Sequence, residues 1–168
     1  MKGIVRKSGG RMAVVVFWSI SILGTLAFFV TRRRIHVFEG IVIWCILVQI
    51  QNNFMGMFSI NFHLMELSMD RWTFLAYDSI RSIIIPLAMI FFLEQCTSAS
   101  GVVRKAAWWV SAILFFTGLE YFAELLGVLT HSKKWRLWWS ISFYLALVSI
   151  TYGAFKLLRH IARREVKI

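Results

Sequence analysis

Charge is scarce in this chain: 16% of its 168 residues are charged, against 59% that are hydrophobic. An ordinary soluble domain carries about a quarter charged residues and reaches only about half apolar ones even with glycine counted, so the shortage excludes that class. Cysteine is rarer still. Cys45 and Cys96 lie inside or at the end of apolar runs, form no disulfide or metal-ligand pattern, and read as small buried apolar side chains. Proline occurs once, as Pro86, inside an apolar run that it should kink. No internal repeat or low-complexity tract is present, and the length leaves no room for a soluble domain beside one membrane bundle.

What is abundant is apolar sequence in long pieces. A spanning helix needs about 20 mostly apolar residues, because about 1.5 Å of rise per residue must cover about 30 Å of hydrocarbon. Five stretches qualify: Met12–Thr31, Ile41–Ile60, Ala76–Gln95, Ala106–Leu126 and Leu137–Leu157. The expected fold class is therefore all-α, a polytopic transmembrane helix bundle of about five spanning helices, one domain over 1–168 with a basic tail at 158–168. The alternating runs of about ten residues that build a β-barrel are missing. The linkers at 32–40, 61–75, 96–105 and 127–136 are short, which predicts antiparallel neighbours. The first run follows Lys2, Arg6, Lys7 and Arg11 as a signal peptide would. It is long, however, lacks a small-x-small cleavage site near its end and stops at Arg32-Arg33-Arg34, and so reads as a retained anchor.

Basic residues outnumber acidic ones 19 to 8, a net charge of +11. Because they sit almost wholly between apolar runs, they point to head groups and water, and no nucleic-acid footprint is expected. Alternate crossings place 8 Lys and Arg on the N-terminal side and 10 on the other, a slight lean towards a cytoplasmic C-terminus. The run Lys156 to Lys167 would then favour anionic lipid. Membrane lipids are the expected partners, with a second copy or a partner membrane protein as the other candidates.

The informative side chains are the polar ones within the apolar runs, since an ionisable group at mid-membrane costs at least about 2.5–3.5 kcal/mol and turns inward to a partner. Gln49, Asn52 and Asn53 share one narrow face of the second segment with Cys45 and Gly56. That face is expected to point inward, either as hydrogen-bonding glue between helices or as the floor of a polar cavity. Asp78 and Arg81 are helix neighbours at i,i+3 and read as a local ion pair or as pocket residues. Glu120 and Glu124, at i,i+4, put two carboxylates on one side of the fourth segment, where they resist ionising together and one would take up a proton or find Arg81.

Connectivity gathers Asp78, Arg81, Glu120, Tyr121, Glu124 and the 127–136 linker at one membrane face. The expectation is a polar, partly hydrated pocket in one leaflet, with Gln49, Asn52 and Asn53 below it. Trp135, Trp138 and Trp139 open the fifth segment as an interfacial belt, or as a cage for a choline-type cation. His36-Val-Phe-Glu39 and His63-Leu-Met-Glu66 supply only two potential ligands each and lie on opposite faces, so no metal is expected. Nothing calls for a cofactor.

Tyr77-Asp78-Ser79, Gly118-Leu119-Glu120-Tyr121, Gly127 with Lys134-Trp135-Arg136-Leu137-Trp138-Trp139-Ser140, and Lys156-Leu157-Leu158-Arg159-His160 form a pattern running from about Val37 to the C-terminus. In these stretches the chain resembles an uncharacterised family of small multi-pass membrane proteins, of four to five helices, from spore-forming Gram-positive bacteria. The resemblance implies a bacterial plasma-membrane protein and carries over no catalytic residues. Three functions are open: a non-catalytic protein binding lipid or a partner protein; a proton-linked small transporter or permease subunit using Glu120 and Glu124; and an intramembrane lipid-modifying enzyme with Asp78, Glu120 and Glu124 as acid–base groups.

Overall fold

The computed structural model describes residues 3–30, 35–57, 65–67, 70–132 and 135–165. Within them the fold is an all-α bundle of five helices long and apolar enough to cross a membrane. The helices span Gly3–Val30, Val37–Met55, Arg71–Ser98, Val102–Leu125 and Leu137–Glu165. Two strands of three residues, β1 (Met65–Leu67) and β2 (Leu129–His131), pair antiparallel at the face where the second helix ends and the fifth begins.

Several helices outrun the apolar stretches that announce them. The third starts at Arg71, inside the expected 61–75 linker, and the fifth continues through the expected tail to Glu165. Helix is limited by breakers, and no glycine or proline interrupts 71–75 or 158–165. The end of the second apolar stretch at 58–60 and the pair His63 and Glu66 fall outside the described residues or side chains.

The third helix is the hub. Half of its apolar window is buried, compared with 11–28% in the other four. It packs against the first, second and fourth helices, and the fifth closes the circuit by packing on the second and fourth. Ile43, Leu47, Met89, Phe116, Leu147 and Phe155 fill the core of this four-helix ring. The first helix, which reads from sequence as an added anchor, lies outside the ring but is tightly joined to it. A Cβ on Gly10 would come within 2.9 Å of Asp70 Oδ2, and Ala13 and Phe17 are fully buried. Phe17 also reaches the fourth helix, edge-on to Phe122 at 5.9 Å.

Pro86 acts on the turn before it. Proline has no N–H and its ring crowds the carbonyl four residues back. The helix widens into a π-turn over Ile80–Ile84, with the Ile85 N–H reaching back to the Ile80 carbonyl. This turn carries Arg81.

Candidate functional site

The fourth helix ends in a way that builds the site. Gly127 adopts φ +69°, a left-handed conformation that suits glycine, and its N–H donates to the Glu124 carbonyl at 2.8 Å. The next N–H, of Val128, donates to the Ala123 carbonyl at 3.0 Å, and the Val128 side chain is fully buried. These two bonds make a Schellman cap, which satisfies the last carbonyls and folds the chain back beside the helix it has just left. β2 follows at once, and its pairing with β1 fixes the returning segment.

His131, the last residue of β2, is thereby laid on the carboxylate face of the fourth helix. Its Nε2 is 2.8 Å from Glu120 Oε1 and its Nδ1 is 3.0 Å from Glu124 Oε2. Side-chain exposure is 10% for His131, 7% for Glu120 and 36% for Glu124, so the inner carboxylate is enclosed and the outer one is partly open. Ser140 Oγ donates to Glu120 Oε1 at 3.0 Å, and Trp135 Nε1 donates to Ser140 Oγ at 3.1 Å. The Trp135 ring stacks on the imidazole with centroids 4.8 Å apart. Burial opposes a charge on the ring, but the hydrogen bonds and charges of Glu120 and Glu124 outweigh it and raise the His131 pKa above its ordinary 6.5. A ring protonated on both nitrogens donates to both carboxylates.

Two spaces adjoin the trio. A cleft of about 320 Å³ is bordered by Thr117, Tyr121, Glu124, His131 and Trp135 among others. Thr117, Glu120, Tyr121 and Glu124 line it as one stripe of the fourth helix, and the buried Thr117 Oγ1 has no hydrogen-bond partner. Behind Glu120 a smaller cavity of about 40 Å³ is bounded by Gln51, Tyr77, Arg81 and Tyr144, among others. Gln51 Nε2 and Arg81 Nε are buried there without a hydrogen-bond partner, and the space suffices for a water molecule bridging them.

The candidate residues named from sequence divide. Glu120, Tyr121, Glu124 and Trp135 come together in the cleft, and Arg81 borders the inner cavity with Glu120. Arg81 does not take either glutamate as its ion-pair partner. It pairs with Asp78 at 3.0 Å, where Ser82 Oγ also donates at 3.3 Å, because a partner one helical turn away needs no other element to be in place. Gln49, Asn52 and Asn53 are exposed instead of inward-facing. The inward stripe of the second helix is Gly40, Ile43, Leu47 and Gln51, since packing follows the apolar side and brings in the one carboxamide that lies on it. Cys45 is likewise exposed, whereas Cys96 is buried.

Trp138 and Trp139 are exposed at the start of the fifth helix, and Trp135 is committed to His131 and Ser140, so the three rings do not converge into a cage. His36 and Glu39 form a capping box: the Phe38 N–H donates to His36 Nδ1 and the His36 N–H to Glu39 Oε2, each at 3.3 Å. Among the described residues no group of three or more His, Cys, Asp or Glu is arranged to hold a metal ion.

Sequence reasoning missed His131, Ser140 and Gln51. The one local sign of His131 is Gly127 directly after an apolar helix, which announces a chain reversal without saying where the returning residues land.

Fold and site together define a polytopic membrane bundle with an acid–histidine–acid cluster at one face, enclosed at Glu120 and partly open at Glu124. Compared with known proteins, the chain matches no family model, no curated protein and no solved structure.

Proposed function

We propose that this is a non-catalytic membrane protein whose cleft binds the ammonium head group of a lipid. The observation that carries the reading is the cleft of about 320 Å³ in which the open side of the Glu124 carboxylate, an unpartnered hydroxyl and aromatic walls meet at the end of a spanning helix. Thr117 lies eight residues before Leu125, about 12 Å below the helix end, so the cleft reaches from the interface into one leaflet. An ammonium group donates a charge-assisted hydrogen bond to the open side of Glu124 and makes another contact at Thr117 Oγ1. Glu120 and His131 are enclosed and mutually satisfied, which favours a positioning role over acid–base chemistry. The inner cavity of about 40 Å³ has room for water and not for a solute, which favours binding over passage.

In this reading the membrane is a bacterial plasma membrane, in line with the family resemblance. The C-terminus is cytoplasmic, following the small excess of basic residues on its side.

Native mass spectrometry of the protein released from nanodiscs of equal phosphatidylethanolamine and phosphatidylglycerol tests the proposal. Wild-type protein is expected to retain one phosphatidylethanolamine, and Thr117→Val to retain less of it. Phosphatidylethanolamine retention in folded Thr117→Val equal to that of wild type overturns it.

A further inference from the structure

The opposite half of the molecule holds a second, larger space with different chemistry. A groove of about 760 Å³ runs between the first, third and fourth helices. Gly24 and Ala88 keep it open, and Leu87, Phe91, Phe92 and Phe115 are among its apolar walls. From Ile84 to Ser98 the third helix advances about 21 Å, so the groove extends from mid-membrane to the face where that helix ends. This is about the depth of one leaflet with its head groups included.

A crevice of this kind exposed to lipid is filled with hydrocarbon, since no water is present to occupy it. Its polar end identifies the class of molecule. Gln95 and Ser98 border that end, together with Glu94, which is buried and partnered within the protein. On the fourth helix the groove-lining stripe of Phe115 and Trp108 continues one turn outward to Arg104, which is exposed, with Lys105 exposed beside it. An apolar slot about 21 Å deep, with Arg104 one turn beyond its lining stripe and Lys105 next to it in sequence, is complementary to an acyl chain carrying an anionic head group.

We propose that this groove is a binding site for one anionic phospholipid, with an acyl chain between the first and fourth helices and its phosphate at Arg104 and Lys105. The site lies in the leaflet opposite the Glu124 cleft and does not depend on that cleft's ligand.

The test is native mass spectrometry of full-length protein, delipidated and then exchanged into micelles containing phosphatidylglycerol or phosphatidylcholine. Wild type is expected to retain one phosphatidylglycerol. Gly24→Leu and Ala88→Leu fill the groove from two different helices, and each is expected to abolish retention while the thermal unfolding midpoint is preserved. A Cβ at position 24 meets only Leu87 Cδ1, at an ordinary 3.5 Å, so the added side chain starts without a clash. Arg104→Gln with Lys105→Gln is expected to leave a lipid bound but to reduce the preference for the anionic lipid by roughly fivefold per removed charge.

Unchanged retention in either folded groove-filling variant overturns the site, and an unchanged preference in the double charge variant overturns the head-group assignment. A protein dimer without bound lipid would show that a second copy occupies the groove and would also overturn the proposal. Glu124→Gln, at the opposite face, is expected to leave phosphatidylglycerol retention as it was.

Discussion

His36 and His131 sit at opposite faces of the bundle and each is bound to glutamate, yet they arrive there by different routes. His36 takes Glu39 from three residues away, is exposed, and serves to start a helix. Glu39 also reaches Arg159 Nε at 3.4 Å, fastening the start of the second helix to the end of the fifth. His131 takes Glu120 from eleven residues away, and only because Gly127 reverses the chain and β1 holds the returning strand. The first arrangement forms wherever the helix forms. The second forms only when the bundle has assembled, and it is the one that encloses charge and borders two cavities.

The comparison breaks most readily at His131. His131→Ala leaves two carboxylates side by side, one of them enclosed, and removing one partner of a buried pair costs about 3–5 kcal/mol. The loss is to be read from reversible unfolding in mixed micelles; a loss below about 1 kcal/mol would place His131 in the same class as His36.

Gly127→Ala forces a side chain into the left-handed region and is expected to cost about 1–2 kcal/mol. It should also loosen the His131 contacts, seen as faster amide exchange in β2.

A third expectation concerns pH. Because the folded-state pKa of His131 lies above its ordinary 6.5, its stabilising contribution is fully present below about pH 6.5. It is lost as pH rises through the folded-state value. Unfolding midpoints measured across this window should fall with rising pH in wild type and be flatter in His131→Gln.

The smallest effect belongs to the exposed cap, where His36→Ala is expected to cost about 0.5–1 kcal/mol in the same unfolding assay. A larger loss there than at His131 would invert the comparison.

The same contrast explains what the sequence revealed. Five apolar runs gave five helices, because spanning a bilayer is a constraint on consecutive residues. The Asp78–Arg81 pair and the shared side of Glu120 and Glu124 were legible for the same reason, being one helical turn apart. The inward face of the second helix was not: Gln49, Asn52 and Asn53 mark a polar stripe, but the Ile43 and Leu47 stripe has more to gain from packing and carries Gln51 inward with it. His131 and Ser140 were hidden more deeply, since their partner Glu120 is reached through a turn and a strand pairing that no local spacing encodes.

Two glutamates at opposite faces, Glu124 and Glu39, undergo the same change of charge when each is replaced by glutamine. Phosphatidylethanolamine retained by native mass spectrometry should fall about tenfold in Glu124→Gln, the worth of one hydrogen bond to a charged group, and stay at the wild-type level in Glu39→Gln. Equal retention in both variants, or an equal loss in both, would contradict the assignment of the His131 cleft as the binding site.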